Sequence, residues 1–295
     1  MASLKEIKRK IGSVKNTQKT TNAMKLVSSA KLKRTEELAK RSRVYATKLT
    51  DLLNEIAQKM QQSNADGIDN IFFKEMKNPK RVDIVFITAD KGLCGGFNSQ
   101  TIKNVSMMLA DYKAKGVKVR LRAVGRKGID FFKFNNIDLS NEVIGLSAAP
   151  DFSEAAEFIS EVAASYMNGE TDKIILIHNG YVNMITQEIR VDQVLPVDAS
   201  KLELNSVSTS ELEVEPDDDD TLLDALVKRY IEYTMYYSLI DSLAAEHSAR
   251  MQAMDAATKN AKDMVKELNV KYNKARQEAI TTELIEIISG MESMK

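Results

Sequence analysis

The stretch that decides the fold is a run without glycine or proline, which reads DDDDTLLDALVKRYIEYTMYYSLIDSLAAEHSARMQAMDAATKNAKDMVKELNVKYNKARQEAITTELIEIIS (residues 217–289). Its 73 residues carry apolar side chains at alternating intervals of three and four positions, beginning at Leu223 and ending at Ala279. This spacing is typical of a coiled-coil helix, and only His247 and Thr258 interrupt it. At 1.5 Å per residue the helix would be roughly 110 Å long, which indicates a rod that spans distance rather than a pocket.

The N-terminal segment is the expected partner of this rod. Ser3 and Glu6 form a capping box that predicts a helix start. A heptad register then begins at Leu4 and continues to Met60, although its seam is polar over residues 18–28. Two long helices that flank a compact middle are expected to pair antiparallel, each burying the seam of the other.

The middle of the chain has a different pattern, in which short apolar runs alternate with helical stretches. All four prolines and ten of the twelve glycines lie between residues 67 and 216. This pattern is typical of a parallel sheet covered by helices. The predicted strands are 82–88, 117–124 and 173–178, the predicted helices are 99–115, 127–134 and 153–167, and an extended edge segment is 188–197, which contains Pro196.

The predicted fold class is therefore α/β plus long helices, with a central Rossmann-like α/β domain and an antiparallel two-helix coiled coil formed by the N- and C-terminal segments. We expect the boundaries of three domains to follow these patterns. They are an N-terminal coiled-coil helix (1–66), a central α/β domain (67–210) and a C-terminal coiled-coil helix (211–295).

This sequence contains few of the residues that commonly carry out catalysis or bind metal ions. One cysteine, Cys94, and two histidines, His178 and His247, exclude an internal disulfide and leave little for a metal site. We expect Cys94 to be a buried, inert thiol and His247 to be a packing residue. The glycine-rich segment 91–98 follows a predicted strand, but its spacing fits no nucleotide-binding template, so a tight turn is the favoured interpretation. The sequence predicts no enzyme, no cofactor and no metal site.

The charge distribution is uneven although 42 basic residues balance 42 acidic ones. The first 60 residues carry 15 Lys or Arg against five Asp or Glu. A basic helical arm indicates a partner with an acidic surface, which could be protein, nucleic acid or lipid headgroups. Four tyrosines between residues 230 and 237 could stack on bases, but three lie on the heptad seam, so core packing is favoured. No apolar run approaches the length that crosses a bilayer.

Three blocks of this sequence resemble the gamma subunit of the F-type ATP synthase, the central-stalk rotor. The first block is IKRKIGSVKNTQKTTNAMKLVSSAKL (7–32) and the second is the turn TADKGLCGGFN (88–98). The third block consists of EHSARMQAMDAATKNA (246–261) and YNKARQEAITTELIEIISG (272–290). The blocks come from both ends and the middle, so the resemblance covers the whole chain.

The resemblance implies a rotor shaft without a catalytic site, which couples ion flow through a membrane ring to conformational changes at catalytic sites on beta subunits and regulates ATPase activity and ion flow. The implied partners are the alpha and beta subunits, the epsilon subunit and the membrane c-ring. It implies no cofactor, no nucleic acid partner and no direct membrane insertion. The implied location is peripheral, on the cytoplasmic face of the bacterial plasma (inner) membrane.

The resemblance also implies contact residues. Those toward the alpha/beta hexamer are Met24, Lys31, Lys33, Arg34, Arg276, Gln277, Thr281, Ile280 and Leu284, and Glu215 falls near epsilon and the ring. The apolar residues beyond Ala279 surround more of the helix than one seam, so they are expected to meet a partner other than the first helix. Two alternatives stay open: an enzyme with a nucleotide at residues 92–98, and a coiled-coil scaffold that binds nucleic acid.

Overall fold

The computed structural model describes residues 4–63, 71–73, 76, 78–197, 219–292 and 294. Its elements in chain order are α1 (Leu4–Ser63), β1 (Arg81–Ile87), α2 (Phe97–Ala114), β2 (Lys118–Val124), α3 (Arg126–Phe134), β3 (Leu139–Val143), α4 (Phe152–Met167), β4 (Lys173–Tyr181), β5 (Gln187–Leu195) and α5 (Asp219–Glu292). The chain divides into two compact units: one joins residues 1–29 to 250–295, and the other contains residues 30–249.

The unit of residues 30–249 is built on a five-stranded sheet with the strand order β3-β2-β1-β4-β5. Strands β1 to β4 are parallel to their neighbours, and β5 pairs antiparallel with β4 at the edge. Both faces of the central strand β1 are buried. Val82, Ile84 and Phe86 face the core beneath α2 and α3, whereas Val85 and Ile87 face the core beneath α4 and α5. Burial on two faces explains why β1 is a continuous apolar run rather than an alternating one.

Helix α5 packs on this sheet through a stripe that shares only Leu223 with the predicted seam. Residues spaced four apart are buried in the core that α5 shares with α4 and the sheet, and they are Leu223, Val227, Ile231, Met235 and Leu239. Burial of each such side chain contributes about 1.5–3 kcal/mol. In this unit α5 therefore carries two apolar surfaces, one for the sheet and one for α1.

Contacts with α1 occupy the second surface of α5 in the same unit. The Tyr233 hydroxyl donates a hydrogen bond to the Ser42 carbonyl at 3.2 Å, and the Tyr233 ring packs on Tyr45 with centroids 4.3 Å apart. Tyr236 meets Phe152 edge to face. Tyr233 thus packs between elements, as the seam register predicts, whereas Tyr236 is off the seam and packs on α4.

The unit of residues 1–29 and 250–295 is an antiparallel helix pair. Thr258 donates from its hydroxyl to the hydroxyl of Thr21 at 2.8 Å, and the Lys25 ammonium lies 2.6 Å from an Asp255 carboxylate oxygen. The predicted seam residues are buried on both helices, for example Ile11 on α1 and Met254, Ala261 and Leu268 on α5. The predicted antiparallel coiled coil is confirmed.

The sheet differs from the prediction in two respects. The strand Leu139–Val143 was not predicted, because its sequence LSNEV is short and largely polar and only its pairing with β2 defines it. The sheet is mixed rather than wholly parallel, because the edge segment turns back on β4 as the hairpin strand β5. The other predicted elements agree with the observed bounds within one to three residues.

Several predictions concern residues outside the described part of the chain. These are the cap residue Ser3, the domain boundaries at 66/67 and 210/211, and the first acidic residues of the rod at 217 and 218. The three-domain division therefore stays a prediction.

Candidate functional site

The turn between β2 and α3 does not offer a phosphate site, because its backbone amides are already used. Asp90 follows β1, and its two carboxylate oxygens accept hydrogen bonds from the amides of Arg126 (2.9 Å) and Gly145 (3.0 Å). The Gly128 amide donates to the Thr88 hydroxyl at 2.9 Å, and the Lys127 amide donates to a backbone carbonyl. A phosphate at a helix N-terminus needs free amides of this kind.

The glycine-rich turn after β1 (residues 91–98) is held closed by Asn98. The Asn98 side-chain oxygen accepts from the Ala89 amide at 2.8 Å, and its side-chain nitrogen lies 3.2 Å from the Cys94 sulfur. Cys94 is 2% exposed and packs with Phe97 and Ala245, so the prediction of a buried thiol is confirmed. Gly125 has φ of 99°, and a Cβ there would collide with the Thr88 backbone, so this second turn requires glycine.

Two other kinds of site are absent from the described residues. No group of three or more His, Cys, Asp or Glu in that part of the chain is placed to hold a metal ion. None of the described helices is both long enough and apolar enough to cross a membrane.

The most unusual surface of the described residues is the end of α5, which we call the α5 tip (residues 280–292). Every residue of the tip is exposed, whereas Ala279 is half-buried. The exposed fractions of its large apolar side chains are 49% for Ile280, 54% for Leu284, 58% for Ile285, 61% for Ile287 and 59% for Ile288. Single exposed apolar residues are ordinary, but a contiguous set marks an interaction surface.

The pairing of the two helices explains why the tip has no partner on α1. Thr21 faces Thr258, and in an antiparallel pair each step back along α1 matches one step forward along α5. Leu4, 17 positions before Thr21, therefore lies opposite about residue 275. The tip extends past the first described residue of α1, so the seam ends near Ala279 as predicted from the sequence.

The predicted basic contact residues lie on the surface of α1. Lys31, Lys33 and Arg34 are exposed, while the intervening Leu32 is 2% exposed on the seam. Within the described residues no carboxylate lies within ion-pair distance of these three cations. We call them the basic group of α1, and they are available to an acidic partner.

The other predicted contact residues divide by exposure. Arg276, Gln277 and Thr281 are exposed on α5, and Thr281 turns its hydroxyl to the Gln277 carbonyl at 2.9 Å. Met24 is half-buried on α1. Glu215, the predicted contact near epsilon and the ring, lies outside the described residues.

One polar contact at the helix interface was not predicted from the sequence. Asp255 lies 2.6 Å from the Lys25 ammonium and 2.7 Å from the Lys259 ammonium. Hydrogen bonds from Lys25 and then Lys259 lower the pKa of the Asp255 carboxyl to about 2. Lys25 was visible as a polar interruption of the seam, but its partner became identifiable only once the register of the two helices was known.

Comparison with known proteins agrees on one family. A sequence profile described as ATP synthase matches residues 3–294. The ATP synthase gamma chain of a Sulfurovum species is 81% identical over 295 residues, which cover 100% of both chains. The ATP synthase gamma chain of Sulfurimonas denitrificans is 60% identical, again over 100% of both chains.

Solved structures show the same fold. A chain from the central stalk and c-ring structure of the Tetrahymena thermophila mitochondrial ATP synthase has a TM-score of 0.62 at 24% identity, covering 81% of this chain and 99% of that chain. A chain from the Euglena gracilis mitochondrial ATP synthase has a TM-score of 0.67 at 18% identity, covering 99% of this chain and 94% of that chain.

Proposed function

Because this chain belongs to the ATP synthase gamma-chain family, and is thus a central-stalk rotor rather than a catalytic subunit, we propose that it couples ion flow through a membrane ring to conformational change at catalytic sites on beta chains. A rigid shaft that presents a different face to each of several surrounding subunits can bias their discrete conformations in turn. ATP release then follows rotation, and control of that rotation regulates ATPase activity and ion flow.

The α5 tip is the single observation that carries this proposal. It is exposed on all sides, rich in Ile and Leu, and unsupported by α1. Exposure of an apolar helix end of this kind to water costs free energy, and a surrounding apolar sleeve removes that cost by burying the helix end. We assign the tip, with Ile280 and Leu284, to the cavity of a hexamer of alpha and beta chains.

Polar residues next to the tip and on α1 complete the proposed hexamer contact. Arg276, Gln277 and Thr281 are exposed at the base of the tip, where loops of the hexamer would reach them. The basic group of α1 (Lys31, Lys33 and Arg34) would face acidic segments of the beta chains. Exposed ion pairs contribute only about 0–1 kcal/mol each, which suits a surface that must slide past its partner. Met24, half-buried on α1, would contact the hexamer from the helix interface.

The proposed location is peripheral, on the cytoplasmic face of the bacterial plasma (inner) membrane. In this arrangement the central α/β domain (residues 67–210), which we call the sheet domain, stands on the c-ring with the epsilon subunit, and Glu215 is a proposed contact there. The proposed domain roles follow the sequence pattern, in which residues 1–66 and 211–295 supply the shaft and residues 67–210 supply the ring-side domain.

The alternatives are not favoured by the geometry. A nucleotide at residues 92–98 would have to displace bonds within that turn, where the Phe97 amide donates to the Cys94 carbonyl at 3.2 Å and the Asn98 side chain lies 3.2 Å from the Cys94 sulfur. A base-stacking surface would require exposed rings, but Tyr233 packs on Tyr45 and bonds to α1.

The proposed function is tested by reconstitution. The purified chain is mixed with alpha and beta chains, and ATP hydrolysis and rotation of a probe attached to the sheet domain are measured. We expect an active, rotating complex from the full chain and a weaker complex or lower torque from a chain that ends at Ala279. A full chain that neither binds the hexamer nor turns within it would refute the proposal.

A further inference from the structure

Helix α5 is fastened to the β4–β5 hairpin by directed polar bonds at two points. We call this set of contacts the hairpin bracket. On α5 it consists of Asp241 and Ser248, which are seven residues apart and therefore on the same face of the helix. On the hairpin it consists of Tyr181, Met184, Gln187 and Arg190.

The first attachment point is a buried carboxylate. Asp241 is 3% exposed, and one of its oxygens accepts a hydrogen bond from the Arg190 guanidinium at 2.8 Å. The other oxygen accepts from the Tyr181 amide at 3.3 Å. His178 places its Nε2 3.2 Å from the oxygen that also meets Arg190. Burial of a carboxylate carries a large desolvation penalty, which is offset only when the carboxylate is paired and hydrogen-bonded in this way.

The neighbourhood of Arg190 is shaped for this contact. A Cβ on Gly180 would collide with the Arg190 side chain, so glycine at this position of β4 leaves the space that the guanidinium crosses. Arg190 and Tyr237, which is one turn before Asp241 on α5, line the same cavity. Arg190 therefore lies beside two successive turns of the helix.

The second attachment point lies two turns further along α5. The Ser248 side chain is fully buried, and its hydroxyl donates to the Met184 carbonyl at 2.9 Å. The same hydroxyl accepts from the Gln187 side-chain amide at 2.8 Å. Seven residues of helix separate the two points by about 10 Å along the axis.

We infer that the hairpin bracket transmits torque between the sheet domain and α5, with Asp241 and Ser248 as positioning residues. The apolar stripe from Leu223 to Leu239 resists separation of helix and sheet, but hydrophobic contact is non-directional and opposes sliding or turning weakly. Hydrogen bonds depend steeply on distance and angle, so hydrogen bonds at two points along the axis resist both movements. The bracket also holds the last turns of α5 in this unit, before the helix continues. The inference rests on the proposed rotor function.

The test compares a rotor that turns freely with one that must drive ion pumping through the membrane ring. The double variant D241N/S248A is assembled with alpha and beta chains alone and, separately, into the complete enzyme in lipid vesicles. ATP hydrolysis by the first complex should stay close to that of the unsubstituted chain, because the sheet domain there bears no load. Ions pumped per ATP by the complete enzyme should fall about tenfold, since the variant loses the charge of the Arg190 bond and both hydrogen bonds of Ser248, which together weaken the attachment of α5 to the hairpin by at least that factor.

The matched control is D83N. Asp83 is also a fully buried carboxylate bonded to arginines, Arg120 and Arg122, but it joins β1 to β2 and does not touch α5. D83N should lower the thermal midpoint of the chain without lowering the pumping ratio, so loss of pumping is separated from simple destabilisation.

A third variant, R190Q, breaks the same ion pair from the hairpin side and leaves α5 unchanged. It should reproduce the loss of pumping even if D241N/S248A does not assemble. Pumping by R190Q or the double variant at the level of the unsubstituted chain would overturn the torque role of the bracket. If the unsubstituted chain itself forms no coupled enzyme, the rotor proposal fails instead.

Discussion

Replacing the exposed apolar residues of the α5 tip should separate the stability of the chain from its affinity for the hexamer. The perturbation is substitution of glutamine at Ile280, Leu284, Ile285, Ile287 and Ile288. Glutamine has a high helix propensity, so the change removes apolar surface without penalising the helix. Because all five side chains are about half exposed, the isolated chain should unfold at nearly the same temperature as before.

The expected loss of affinity follows from the exposed fractions. Complete burial of an exposed Leu or Ile side chain contributes about 1.5–3 kcal/mol, and about half of each tip side chain is still open to burial. Each residue should therefore contribute about 1 kcal/mol when the hexamer covers it, and the set should contribute about 5 kcal/mol. Since 1.4 kcal/mol is a factor of ten, Kd should rise by about three to four orders of magnitude.

The assay is titration of labelled alpha/beta hexamer with each chain, together with thermal denaturation of the chain alone. The matched control is Leu268→Gln, which places the same side chain on the buried seam of the same helix, where Leu268 is 8% exposed. This control should lower the thermal midpoint of the chain, because it puts a polar group into the helix interface. An unchanged Kd for the tip variant would refute the assignment of the tip to the hexamer, and a lowered thermal midpoint would show that the tip packs on its own chain.

Three further perturbations address other parts of the molecule. Reversing the basic group of α1 to glutamate at Lys31, Lys33 and Arg34 should reduce proton-driven ATP synthesis more than it reduces assembly, because exposed ion pairs contribute little to stability; both are measured on the reconstituted enzyme. Asp255→Asn should remove an acid-sensitive step from the unfolding of the chain, measured as loss of helicity while the pH is lowered. The pKa of Asp255 is lowered from 3.8 to about 2 in the folded chain, so the ionised carboxylate stabilises the fold above pH 3.8, and this stabilisation is lost as the pH falls toward about 2. Leu239→Ala should lower the free energy of unfolding by about 3 kcal/mol in urea denaturation, since Leu239 is fully buried.

Each of these has a control on the same chain. Glutamate at Lys113, Lys115 and Lys118 makes an equal charge change between the end of α2 and the start of β2, away from the basic group, and should leave synthesis unchanged. Asp263→Asn removes an exposed carboxylate of α5 that pairs only within its own helix, and the acid transition should persist. Val270→Ala truncates a side chain that is 69% exposed and should cost less than about 0.5 kcal/mol. Equal effects in variant and control would contradict the reasoning in each case.

The long helices could be predicted from local pattern alone, because a heptad repeat needs no information from distant residues. The end of the seam at Ala279 and most elements of the sheet domain were equally predictable, since the apolar runs of that domain are bounded by glycine and proline. The exposed state of the tip follows from the same pattern, because its apolar residues surround the helix.

Features that depend on pairing between remote segments emerged only in three dimensions. The strand LSNEV has little apolar character and is a strand only because β2 lies beside it. The stripe from Leu223 to Leu239 could not be recognised in the sequence, because the same helix also carries the apolar residues of the seam. The bonds of Asp241 to Arg190 and of Asp255 to Lys25 join residues 51 and 230 positions apart. A local pattern reports which face of an element is apolar, but the partner of a charged side chain is set by the register in which distant elements meet, and no local pattern encodes that register.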